Sequence, residues 1–265
     1  MKSLGRRLVH DIAPPVGLFL LVALLWQWAT AVYDLPAYLL PSPVAVAEAA
    51  YDNFATLLSA TALTAAAALC GFLASLIAGS LIAFAFSQSR LVRSGCFPYA
   101  IFLQTVPIVA VAPLIIIWFD YGFQSVVVVS FIISLFPIIT NATAGLMSVD
   151  ADLIDLFRLH NATRWQILWK LRLPSAVPHV VTGAKTSSGL AVIGAIVGEF
   201  FAGYGAERFG LGYLVRQTSD QLKTDQLFAA IIASALLGIV IFGTVSLAGA
   251  TILVRWSEQP TGSTS

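Results

Sequence analysis

The chain has 265 residues, of which 58% are hydrophobic and 10% charged, where an ordinary globular protein carries roughly 25% charged residues. So little charge excludes a soluble fold. A formal net charge of +1 supplies neither the basic excess of a nucleic-acid binder nor the acidic surplus of a solvating segment.

The charges leave five long uncharged runs: Asp11 to Asp34, Asp52 to Arg90, Arg93 to Asp120, Asp120 to Asp150 and Asp225 to Arg255. Each exceeds the roughly 20 residues that cross hydrocarbon as a helix. A sixth stretch, Thr182 to Ala202, is apolar apart from Lys185 and Glu199. The pattern predicts an all-α membrane protein with six transmembrane helices, organised as one domain over 1–265 with its core at about 60–256.

The first span, Ile12 to Val32, follows Lys2, Arg6 and Arg7 and ends near Ala29-Thr30-Ala31, an A-x-A pattern. Its apolar run is longer than the roughly 7–15 residues of a signal peptide, so it reads as an uncleaved span. The Pro41-Ser42-Pro43 turn signal then opens an interfacial segment, Pro43 to Ala60, before a second span at Ala62 to Phe86. An inner turn at Ser87 to Phe97, a third span up to the outer turn at Asp120, and a fourth span up to Asp150 follow. After the inner segment Ser148 to Val181 come the fifth span, an outer segment at Gly203 to Asp225, the sixth span and a tail at 259–265 that composition marks as disordered. Cys70 and Cys96 have no C-x-x-C spacing and no His partner, and read as small packing residues.

Lys and Arg favour cytoplasmic loops. With the amino terminus inside, the inner segments hold Lys2, Arg6, Arg7, Arg90, Arg93, Arg158, Arg164, Lys170, Arg172, Lys185 and Arg255, against Arg208, Arg216 and Lys223 outside. Six crossings return the carboxyl terminus to the inside, and an odd count breaks the asymmetry.

The inner segment interleaves charges with Ile154, Leu156, Phe157, Trp165, Ile167, Leu168 and Trp169. It predicts two short amphipathic helices, the first broken near Asn161 and the second ended by Pro174. Their apolar face, with Leu156, Phe157, Trp165 and Leu168, has either a protein partner or the headgroup layer to cover it.

This segment resembles the cytoplasmic loop of the inner-membrane permeases of binding-protein-dependent ATP-binding-cassette importers, which reads E-A-A, three residues, G, nine residues, I, one residue, L-P. Here Asp155, Leu156 and Phe157 stand for E-A-A, Asn161 for G, Leu171 for I, and Leu173-Pro174 for L-P, with the spacing kept. Asn enters the left-handed region more readily than other non-glycine residues, so the turn is expected to survive. Gln104-Thr105-Val106-Pro107, Ala112-Pro113-Leu114, Trp118-Phe119, Phe136-Pro137, Gly145-Leu146, Glu199-Phe200 and Gly210-Leu211-Gly212 extend the likeness. They are similar to permeases importing nitrate, sulfonates, taurine or bicarbonate, and to a branch importing pyrimidine precursors or riboflavin.

The resemblance implies a type I importer permease in a bacterial inner (plasma) membrane, both termini cytoplasmic. It implies a second permease copy, as homodimer or heterodimer, a separate ABC ATPase subunit that uses the ATP, and a periplasmic or lipid-anchored solute-binding protein. The ATPase-coupling residues become Asp155, Leu156, Phe157, Asn161, Trp165, Leu168, Leu173 and Pro174. Membrane lipid is the surrounding partner and nucleic acid is not one. Gly194-x-x-x-Gly198 with Ala191, Ala195 and Ala202 offers close helix packing, between copies or within the chain.

Residues for covalent chemistry are not grouped in the sequence, and no cofactor is expected on this chain. Gly183-Ala184-Lys185-Thr186 lacks the glycines of a phosphate-binding loop, and His10, His160 and His179 all fall at inner segments. Glu199 is the one carboxylate well inside an apolar stretch and reads either as a gate or dimer contact or as a solvated helix end. Gln104, Asn141, Ser187 and Ser188 are further candidates for the pathway. An ion-coupled secondary transporter and a non-transporting membrane scaffold remain alternatives that the 155–174 spacing does not favour. Aromatic-rich, charge-poor spans point to an organic, partly apolar solute over a compact oxyanion.

Overall fold

The computed structural model describes residues 2–33, 36–202 and 209–257. The outer loop at 203–208 and the predicted tail at 259–265 lie outside the described residues. Among the described residues every regular element is helical: α1 (Lys2–Val32), α2 (Pro43–Asp52), α3 (Phe54–Gln88), α4 (Arg90–Thr105), α5 (Ile108–Phe119), α6 (Phe123–Met147), α7 (Ala151–Leu159), α8 (Arg164–Ile167), a π-helical turn (Leu168–Arg172), α9 (Leu173–Ala202), α10 (Leu211–Asp220) and α11 (Thr224–Ser257).

Four helical runs are long and apolar enough to cross a membrane: Phe54–Gln88, Phe123–Met147, Arg164–Ala202 and Thr224–Val254. The pair α4 and α5 makes a fifth when counted as one bent span, and α1 contributes a shorter apolar helix, Val16–Val32. The predicted third span, up to Asp120, is not one continuous helix. It is two helices bent by 99° at Val106–Pro107. Pro107 has no N–H to donate and its ring drives Val106 out of the helical region, to ψ 124°.

Two further expectations change. The interfacial segment expected at Pro43 to Ala60 is shorter: α2 starts on an N-cap bond from Ala45 N–H to Ser42 Oγ and ends at Asn53. From Phe54 onward the chain is already α3, about 52 Å long at ~1.5 Å per residue. Nor does Pro174 end a helix. The run Arg164–Ala202 continues through it, because the π turn immediately before places Leu173 N–H on Leu168 O, five residues back, and makes room for a residue that cannot donate.

The core is α6, wedged between α3 and α9. Side chains on this pair of faces are small, and the close approach is steric. A Cβ on Gly194 would lie 2.7 Å from Ser130 Cα, one on Gly198 3.0 Å from Val126 Cα, and one on Gly79 2.8 Å from Ile138 Cγ2. Serine hydroxyls bridge the same interface, Ser130 Oγ donating to Ala191 O at 2.9 Å and Ser187 Oγ to Ser134 O at 2.7 Å. The Gly194-x-x-x-Gly198 stripe is thus used within the chain, as small-residue packing that brings helix backbones together in lipid. Cys70 and Cys96, expected as packing residues, are exposed on the surface of the chain.

Segments expected on one side of a membrane gather at one end of this bundle. Thr224 Oγ1 donates to Tyr38 O at 2.8 Å, Trp26 meets Phe228 with ring centroids 5.5 Å apart, and the start of α6 beyond Asp120 packs on Gly198. At the opposite end Arg172 Nη1 donates to Ser87 O at 2.8 Å, and Gly145 lies under Ala176 and His179.

Candidate functional site

The first candidate is the hairpin α7–α8. Asp150 caps α7 by accepting from Asp152 N–H at 3.1 Å. The helix stops in a Schellman turn: Ala162 N–H bonds Phe157 O at 3.0 Å and Asn161 N–H bonds Arg158 O at 2.9 Å. This geometry needs a left-handed residue after the cap, and Asn161 has φ +55°. Thr163 then opens α8 with a capping box, its hydroxyl accepting from Gln166 N–H and Gln166 Oε1 accepting from Thr163 N–H at 2.7 Å. A turn fixed by local hydrogen bonds thus separates α7 from the helical run that starts at Arg164.

What the hairpin presents is apolar. α7 buries no residue; Leu153, Leu156 (48% exposed) and Leu159 stand out from it, and Trp165 (64% exposed) and Trp169 stand out from the next turn. Asp155 is exposed and pairs with Arg158 at 3.0 Å. Phe157, Leu173 and Pro174 are half-buried. Leu168 corrects the predicted face: at 2% exposure it points into the bundle with Ile167 and Leu171, while Trp165 and Trp169 stay exposed. Trp165 and Leu168 are three apart and lie side by side on the helix, so the boundary between exposed and buried surface runs between them.

The second candidate is Glu199, 5% exposed near the end of α9. The solvated-end reading does not describe it. Its Oε2 accepts from Thr64 Oγ1 of α3 at 2.8 Å and from Gly212 N–H of α10 at 2.9 Å. Thr64 Oγ1 in turn accepts from Leu211 N–H at 2.9 Å. The first two N–H groups of α10 therefore end on a threonine and a carboxylate from two other helices, where a helix start favours negative charge. A Cβ on Gly210 would fall on the carboxylate itself, and one on Gly212 would fall on Ile196 O. Thr64 had no local signal in its Ala-rich helix; Gly210 and Gly212 were visible as a Gly-x-Gly, but not the carboxylate they approach.

The other predicted pathway residues separate. Gln104 is exposed on α4, beside the bend. Asn141 is half-buried and donates from Nδ2 to Pro137 O at 2.8 Å, beside Gly183. Ser187 and Ser188 are fully buried in helix packing, Ser188 bonding Lys185 O within its own helix. Gly183 to Thr186 lie in the interior of α9, a continuous helix. His160 is exposed on the hairpin with Nδ1 2.9 Å from Leu156 O.

An all-helical bundle of at least four apolar spans, with a capped amphipathic hairpin at one end and a packed small-residue core, defines a polytopic membrane protein built around interhelical packing. Residues 75–258 match the family described as binding-protein-dependent transport system inner membrane component. The chain belongs to that family and is an ABC importer permease. It is 33% identical over 251 residues, 94% of this chain and 98% of the relative, to the formylaminopyrimidine transport permease protein ThiX of Halalkalibacterium halodurans. It is 35% identical over 261 residues, 98% of this chain and 95% of the relative, to the riboflavin transport system permease protein RibX of Chloroflexus aurantiacus. The taurine transport system permease protein TauC of Escherichia coli is 30% identical over 63% of this chain and 60% of its own length. Among solved structures, an inward-facing MetNI methionine ABC transporter chain aligns with a TM-score of 0.63 at 18% identity, over 77% of this chain and 97% of that one, a likeness of fold.

Proposed function

We propose that the chain forms part of the translocation pathway of an importer in the bacterial plasma membrane, driven by a separate ATPase that docks on the α7–α8 hairpin. One observation carries the coupling role. The hairpin is capped at both ends, keeps the family spacing from Asp155 to Pro174, and leaves Leu153, Leu156 and Trp165 exposed among the described residues. Family membership favours this reading over an ion-coupled transporter or a scaffold.

In this reading α1 and the bent pair α4–α5 complete six crossings, both termini are cytoplasmic, and the hairpin lies inside. A solute-binding protein delivers the solute to the end of the bundle formed by α2, α10 and the start of α11. A second permease copy supplies the other half of the pathway. The open apolar groove between α9 and α11, lined by Gly189, Leu190, Ile193, Gly238, Ile239 and Phe242, supports a close-packed neighbour, since a Cβ on Gly189 or Gly238 would meet nothing within 4 Å among the described residues. The solute is a flat nitrogen heterocycle: the relatives named for formylaminopyrimidine and riboflavin match nearly the whole chain, whereas the nitrate permease is 25% identical over 69% of it.

Leu156→Asp tests the coupling role. A charge buried unpaired at the centre of a docked interface costs about 3–5 kcal/mol, roughly a hundredfold to several thousandfold in affinity. Transport and co-purification of the ATPase are expected to be lost while the chain still inserts. Normal uptake by this variant would falsify the assignment. Uptake of labelled riboflavin and formylaminopyrimidine, compared with taurine and nitrate, tests the solute class.

A further inference from the structure

Glu199 of α9 joins two other helices, one of them distant in sequence: Thr64 of α3 and Gly212 of α10 both donate to the same oxygen, Oε2. The other oxygen, Oε1, is buried with no hydrogen-bond partner among the described residues. A side chain kept only for packing would not need an acceptor here, because a buried polar atom without a partner is destabilising. The geometry on the α10 side is equally specific. Leu211, fully buried among Ala60, Ala67, Val192 and Ala195, seats the start of α10, and Gly210 and Gly212 remove the Cβ atoms that would hold it off. Beyond that start, α10 also hangs on Arg216 Nη1, which donates to Phe200 O at 3.1 Å.

We propose that Glu199 is a positioning residue that clasps the N-terminus of α10 to α3 and α9, so that the three helices move as one rigid unit and engagement of α10 from outside is passed directly into the spans. The mechanical role of that unit rests on the transport reading above; the clasp itself does not. The carboxylate acts as an acceptor fixed in place before any partner arrives, and the two glycines are the fit that lets the α10 backbone reach it.

The test uses the full chain in lipid nanodiscs, with Cys70→Ala and Cys96→Ala as background and spin labels at exposed Ser59 on α3 and exposed Ser219 on α10. Pulsed electron resonance should give one narrow distance in the parent. Glu199→Met, which keeps the length and removes the acceptor, is expected to lose that narrow peak, and Glu199→Gln, which keeps an acceptor oxygen, to retain it. A label pair at Ser59 and Ile193 should stay narrow in all variants, showing that α3 and α9 still pack. Gly210→Ala attacks the same clasp from the other side, since its methyl lands on the carboxylate, and is expected to lose the peak with Glu199 intact. A narrow Ser59–Ser219 distance in Glu199→Met and Gly210→Ala would overturn the proposal, as would equal broadening of the Ser59–Ile193 pair. Should Leu156→Asp transport normally while Glu199→Met releases α10, the transport reading fails and the clasp stands.

Discussion

Asn161 shows how one backbone angle sets the shape of the hairpin. Its φ of +55° costs most residues roughly 1–2 kcal/mol, less for Asn and nothing for Gly. Asn161→Gly is accordingly expected to leave ATPase association unchanged. Asn161→Val should weaken it about tenfold, because a β-branched side chain resists the left-handed region at ~1–2 kcal/mol. Affinity measurements on the reconstituted subunits decide this, and equal binding by both variants would remove the turn from the argument. Gly194 is constrained by space and not by angle, with Ser130 Cα only 2.7 Å from where a Cβ would stand. Gly194→Leu should therefore lower the melting temperature of the detergent-solubilised chain, by overpacking of about 1–3 kcal/mol or more. Gly189→Leu, at a position open to the surface, should do so far less.

At the scale of elements, the π turn Leu168–Arg172 connects hairpin and span. It holds one residue more than an α-helical turn, lies just ahead of Pro174, and decides which way the hairpin faces relative to α9. Inserting an alanine between Arg172 and Leu173, a residue the π turn does not absorb, rotates everything upstream by about 100°. Trp165 and Trp169 would then turn from the surface while buried Leu168 loses its place. The variant with the added residue is expected to reach the membrane and to keep the α3–α6–α9 packing, yet to lose its ATPase in co-purification. Retention of the ATPase would mean that the hairpin docks independently of its orientation. The bend between α4 and α5 has a comparable local origin in Val106–Pro107, where the proline holds Val106 out of the helical region.

For the whole molecule, the two ends of the bundle carry different chemistry. The end at Glu199 gathers α2, α10 and the start of α11; the end at Arg172 gathers the hairpin and the turn at Ser87 to Arg90. Lys and Arg concentrate at the second end, and the proposed topology puts that end in the cytoplasm. A single cysteine at exposed Ser219 should react with a membrane-impermeant maleimide in intact cells, and one at exposed Leu159 only after the membrane is opened. The reverse pattern would invert the topology.

Much of this was legible in the chain itself. Runs free of charge set the membrane class, and the 155–174 spacing and its Asn marked the hairpin turn, because span length and turn chemistry are local properties. The burial of Leu168, the use of the glycine stripe within the chain and the joining of Thr64, Glu199 and Gly212 were not legible. Spans that are apolar on all sides carry no directional pattern to separate a lipid-facing side from a core-facing one. A hydrogen bond between residues 135 positions apart in the chain depends on how the helices cross, and only their packing decided that.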